Sequence, residues 1–244
     1  MLLKDRVLLV TNVTRFSGHG VTERALAWGA TVLAHDPAFE APSARRKYET
    51  QFAGAHALSP VEPEALVALA LKRYGRIDAL VNNDAWPALR APLGEARMQD
   101  YRDALEAMAV APFRMTQLVA PAMRARKAGR IVFVSSAAPL RGIANYAPYV
   151  SARAATLGLV QSLAKELGRD GVTVNAVGSN YVENPEYFPP ALLADAAAMK
   201  KMTAQIPLGR LGKASELAST VCFLCSEGAG FVTGQTIAHA GGWA

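Results

Sequence analysis

Seven short, almost wholly apolar runs recur along this chain, separated by longer stretches with helical patterning. That alternation constrains the fold more than any other feature. The runs are Arg6–Thr11, Thr31–His35, Ala55–Leu58, Ala79–Asn82, Ile131–Ser135, Thr173–Val177 and Thr236–Ala240. Between them the spacing predicts helices over Gly18–Trp28, Pro63–Tyr74, Met98–Lys127, Tyr149–Leu167 and Ser215–Ser226. A strand that is apolar at consecutive positions is buried on both faces, as in a parallel sheet covered by helices on each side. The expected fold is α/β: a single-domain, Rossmann-like, doubly wound parallel sheet spanning residues 1–244. Two long stretches without helical patterning, Ser136–Pro148 and Gly178–Pro190, follow the fifth and sixth strands. Open α/β sheets bind ligands at the carboxyl ends of their strands, so these two stretches are expected to build the site.

Composition narrows the function classes. Hydrophobic residues make up 51% of the 244 and charged residues 19%, which excludes a disordered chain. No apolar run has the ~18 residues of a membrane helix. Met1–Arg6 lacks the order of a signal peptide, so a soluble, cytoplasmic protein is expected. The net charge is +6, but the basic clusters (Arg45-Arg46-Lys47, Arg124 with Arg126-Lys127, Lys200-Lys201) are short and lie among acids. No basic stripe interleaves with aromatics, so no nucleic-acid partner is expected. Cys222 and Cys225 fall in an apolar helical run and read as inert core thiols. His19, His35, His56 and His239 have no ligand spacing, so no metal is expected.

Tyr149 and Arg153 stand four apart at the start of a helix and therefore share a face. A guanidinium stays charged at any ordinary pH and favours the ionised form of a nearby phenol. Tyr149 is thus a candidate general base. Ser136, at the end of the fifth strand, is placed to hydrogen-bond a substrate oxygen. Taken alone, Tyr-x-x-x-Arg reads as an aromatic helix start with a surface arginine, since so short a pattern recurs by chance. The upstream serine on a ligand-side loop favours chemistry.

These residues, with Leu80-Val81-Asn82-Asn83, Val134-Ser135-Ser136, Tyr149-Val-Ser-Ala-Arg153 and the closing Gly241-Gly242, resemble the short-chain dehydrogenase/reductase superfamily over the whole chain. In that family the resemblance implies a serine that orients substrate and a tyrosine that transfers the proton. A lysine normally stands four residues after that tyrosine; here it is Arg153. The family's glycine turn after the first strand is also altered. Thr11-Asn12-Val13-Thr14-Arg15-Phe16-Ser17-Gly18 puts Asn12 and Phe16 where the first two glycines belong, and those glycines serve the close approach of pyrophosphate. Asp84 stands where the family has alanine, Glu106–Val110 holds no asparagine, and Asp36 is expected to cap a loop.

Keeping serine and tyrosine while losing the phosphate turn resembles the halohydrin dehalogenases, a cofactor-independent branch of the superfamily. That resemblance implies Ser136, Tyr149 and Arg153 as the catalytic set and no cofactor. It implies a halide and substrate pocket from Phe16, Ser179, Asn180, Tyr181, Phe188 and Asp84, within Gly178–Tyr181, Pro185–Pro189 and Asn83-Asp84. Asp84 is expected behind the pocket, hydrogen-bonding the halide loop. The implied ligands are haloalcohols, epoxides, halide and other small anions, and the implied assembly is a homotetramer. Two alternatives stay open from the residues: an NAD(P)-dependent reductase with a degenerate turn, and a non-catalytic sensor or scaffold.

Overall fold

The chain is described by a computed structural model covering residues 1–59, 61–184 and 187–244. One seven-stranded sheet runs in the order β3-β2-β1-β4-β5-β6-β7, with every pairing parallel. The strands are β1 (Val7–Val10), β2 (Thr31–Ala34), β3 (Ala55–Ala57), β4 (Ala79–Asn82), β5 (Gly129–Ser136), β6 (Val172–Ser179) and β7 (Thr236–His239). All seven expected strands are present. Successive residues serve opposite faces. Leu8, Val10, Val132 and Val134 pack on one side with α1 (Gly18–Ala27) and α10 (Ala214–Leu224). Leu9, Ile131 and Phe133 pack on the other with α3 (Pro63–Tyr74), α5 (Ala111–Ala125) and α7 (Ala147–Leu167). Two buried layers explain why the strands read as continuous apolar runs. Cys222 and Cys225 are free and buried, and burial pushes the Cys225 thiol up to about 12, as inert core thiols require.

Three expectations are revised. The helix expected over Met98–Lys127 is broken into α4 (Met98–Leu105) and α5 by a π turn at Glu106–Val110. Pro112 has no N–H to donate, and a widened turn just before it absorbs the lost bond. An unforeseen helix, α2 (Pro42–Gln51), follows β2; its mean hydropathy is too low for the apolar pattern to reveal it. The long stretches after β5 and β6 begin later than expected, and the first contains a short helix. Ser136 and Ser179 are the last residues of their strands, α6 (Ala138–Arg141) follows at once, and α8 (Pro190–Ala194) and α9 (Ala196–Thr203) lie beyond the second.

Among the described residues no helix is long and apolar enough to cross a membrane, and no group of three or more His, Cys, Asp or Glu could hold a metal ion.

Candidate active site

Strand register assembles the site. Ser136 pairs directly with Ser179, and Ser179 with His239, so three strand ends open onto one rim. A cavity of about 350 Å³ lies there. Its wall includes Phe16, Ser136, Tyr149, Ser179, Asn180, Tyr181 and Phe188, which brings together seven of the nine residues proposed from sequence. Pro185 and Glu186 of the expected halide loop lie outside the described residues.

Pro148 sits in the first turn of α7, where its missing N–H costs no helical bond, and it delivers Tyr149 to the cavity. One turn on, Arg153 is buried beneath it, at 2% exposure. Its Nη1 donates to the carbonyl oxygens of Asp84 (2.9 Å) and Val134 (3.2 Å), and its Cζ lies 5.5 Å from the Tyr149 ring centre. Two fixed carbonyls therefore aim the charge at the phenol. Burial works to push the Tyr149 phenol up, but the Arg153 charge and hydrogen bonds from Ser136, Arg153 and Tyr187 outweigh it and hold the phenol below its ordinary value. The Ser136 Oγ accepts from Ala138 N at 3.1 Å, which leaves its hydroxyl hydrogen to serve Tyr149 or, in its place, a bound oxygen.

The remaining residues divide by what their polar atoms already do. Ser179 lines the cavity, but its hydroxyl donates to the Ser135 carbonyl at 3.2 Å. Asn180 is held by its backbone, N to His239 O at 3.2 Å. Tyr181 adopts a left-handed φ of 54°. Phe16 meets the Tyr187 ring edge-on, with centroids 5.9 Å apart. Tyr187 is the residue sequence reasoning passed over: it bonds to Tyr149 and its hydroxyl also lies 3.4 Å from the Trp86 carbonyl oxygen. Its position inside the expected halide loop was a signal, but nothing local ties residue 187 to residue 149.

Asp84 corrects an expectation. It is not part of this cavity's wall, and among the described residues its carboxylate bonds to Asn12 rather than to the halide loop. It lies on the far side of Arg153, where Oδ1 accepts from Asn12 Nδ2 at 2.7 Å, and it lines a separate pocket of about 240 Å³ with Asn12, Arg15 and Trp86. The reason is that Asn12, in the former glycine turn, reaches Asp84 first. Burial pushes the Asp84 carboxyl up to about 7, against the opposing pull of Arg153, Asn12 and Thr11. Unfolded, the group titrates near 3.8. Between these values the folded chain holds a proton that the unfolded chain has released, so this group makes stability fall as pH rises from about 4 to about 7. Asp84→Asn keeps an acceptor for Asn12 and should flatten that slope. Urea unfolding of both proteins across this window checks it; parallel curves would refute it.

The residues around β1 do not fit a dinucleotide. Asn12 and Phe16 both take φ of 49°, so the turn keeps its left-handed backbone but fills it with side chains. Asp36, which would meet a ribose, is spent inside the protein: Oδ2 accepts from Thr14 N (2.9 Å) and Thr14 Oγ1 (2.7 Å), and Oδ1 from Ala38 N (3.0 Å). Asn83 Nδ2 donates to the Asn12 and Arg15 carbonyls, and Ser17 Oγ donates to Asn83 Oδ1, closing the turn onto β4. Gly18 alone persists, because a Cβ there would lie 2.4 Å from the Val13 carbonyl oxygen.

Residues 18–244 match the family described as enoyl-(acyl carrier protein) reductase. The chain belongs to the short-chain dehydrogenase/reductase superfamily. A 3-oxoacyl-[acyl-carrier-protein] reductase of Salmonella typhimurium is 32% identical over 249 residues, covering 99% of this chain and 98% of the relative. Two solved structures sharpen the placement. One described as a dehalogenation enzyme is 79% identical, with a TM-score of 0.98 and all of both chains covered. A halohydrin dehalogenase bound to ethyl (2S)-oxiran-2-ylacetate is 33% identical, with a TM-score of 0.93 over 97% of this chain and 96% of that one. The resemblance to halohydrin dehalogenases read from the motifs therefore holds across the whole superfamily fold.

Proposed function

We propose that this chain converts vicinal haloalcohols to epoxides with release of halide and a proton, without a nicotinamide, and runs in reverse when small anions open epoxides. The observation that carries the reading is the pairing of a Tyr149 phenol held low by a buried arginine with a glycine turn rebuilt into a cavity wall. Tyr149 removes the proton from the substrate hydroxyl while Ser136 donates to the same oxygen. The alkoxide displaces halide from the neighbouring carbon: the C–O bond forms, the C–X bond breaks, and no electrons pass to a carrier. The leaving charge develops toward Phe16, Asn180, Tyr181 and Phe188, where ring edges and the Asn180 side-chain amide are favourable to an anion. The proposed working form is a cytoplasmic homotetramer. Exposed Val110 and Phe113 at the α4–α5 junction support association through that face.

The test is to incubate nucleotide-free protein with a vicinal bromoalcohol and follow bromide, acid and epoxide. Equimolar release of all three is expected. Turnover only with NADH or NADPH would overturn the reading in favour of a reductase.

Bromide should inhibit competitively. Asn180→Ala and Tyr181→Ala should each raise its inhibition constant by about tenfold, and Phe16→Ala by less, while the pH–rate profile stays in place, because charge stabilisation at the leaving atom is separate from proton removal. Unchanged inhibition in all three would put the halide elsewhere.

A further inference from the structure

Gly241-Gly242 take no part in the chemistry above, yet both adopt left-handed backbone, with φ of 61° and 86°. A Cβ on Gly241 would stand 2.6 Å from Ile206 Cγ2, and one on Gly242 3.0 Å from Pro207. The pair turns the chain tightly after β7 and brings Trp243 against Tyr181 of the cavity wall. There Trp243 is buried, and its ring meets Tyr181 edge-on with centroids 5.9 Å apart.

Arg141 grips Trp243 twice. Its Cζ lies 4.8 Å from the ring centre, and its Nη1 donates to the Trp243 carbonyl at 2.9 Å. Arg141 ends α6, whose other end holds Ser136 through the Ala138 N–H. A continuous chain of contacts thus runs Ser136–α6–Arg141–Trp243–Tyr181. It spans the site from the residue on the substrate oxygen to a residue beside the leaving atom. Tyr181 needs such support: its φ of 54° is uncommon for a non-glycine residue. Its carbonyl accepts from Gly212 N at 2.9 Å, and its ring packs against the cluster of Ala137, Ala240 and Trp243.

We infer that Trp243 and Arg141 are positioning residues that fix the spacing between Ser136 and Tyr181, and so the line along which oxygen displaces halide. The inference rests on the proposed dehalogenation, and the test separates the two. In-line displacement tolerates little misplacement; a shift of about 1 Å can cost ~10²-fold. Trp243→Ala should lower kcat and raise the bromide inhibition constant, each by about tenfold, and Arg141→Ala should do the same by about threefold, both below that ceiling. The pH–rate profile should not move, since neither residue touches Tyr149. Trp243→Phe, which keeps an edge-on ring, should restore most of both losses. Added to Tyr181→Ala, Trp243→Ala should cost little more, because both act through one side chain. Arg141 is exposed, so its variant folds even where Trp243→Ala does not. Bromide inhibition within twofold of wild type in Arg141→Ala and Trp243→Phe alike, with full additivity to Tyr181→Ala, would reduce the clamp to a stability device and overturn the inference. Wild-type protein that releases no bromide would instead overturn the functional reading and the clamp's role with it.

Discussion

Tyr149→Phe is expected to abolish halide release, by about 10²–10⁴-fold, the usual worth of a positioned acid–base group. The substitution removes one oxygen and keeps the ring, which packs against Ala104, Met108 and Ala152. Folding should therefore survive, and bromide inhibition of residual turnover should be unchanged, because the halide-side residues are intact. The competing base is Tyr146, which also lines the cavity. It sits at the N-terminal boundary of α7, and the residue four places on is Val150, which carries no charge. Near wild-type turnover in Tyr149→Phe would make Tyr146 or another group the base. Steady-state bromide release alongside thermal unfolding separates a chemical loss from a folding loss.

Arg153→Met is expected to lose both activity and stability. The guanidinium is the charge that outweighs burial at Tyr149. Without it the phenol returns upward, so less phenolate is present at any given pH and the acid limb of the pH–rate profile moves to higher pH. The same change strips donors from the Asp84 and Val134 carbonyls. A buried acceptor left unpaired costs about 1–3 kcal/mol. Arg153→Lys gives the decisive comparison. An ammonium keeps the charge but ends one bond short of Nη1, the nitrogen that donates to both carbonyls. The acid limb should then lie close to wild type while the urea midpoint stays low. A Lys variant whose pH profile shifts as far as the Met variant would show that orientation, rather than charge, sets the phenol.

The proposed trio Ser136, Tyr149 and Arg153 was legible because its geometry is local. Four residues on a helix put Tyr149 and Arg153 on one face in any fold, and a serine ending a buried strand faces the ligand side of any parallel sheet. The strands were legible for a similar reason: each apolar run records burial on two faces whatever lies between. The misfit of the β1 turn to a dinucleotide could also be read from Asn12 and Phe16 alone, since both stand where close backbone approach demands glycine. What could not be read was which side chains meet across the sheet. Asp84 was expected behind the halide loop, but Asn12, 72 positions away, takes its carboxylate. Tyr187 bonds to Tyr149, and Trp243 supports Tyr181, through loops whose paths depend on everything they pack against. Secondary-structure periodicity is set by neighbours along the chain, so it is written in the sequence. A contact between two loop residues is set by the summed packing of the elements that carry them, and no short stretch of sequence holds that sum.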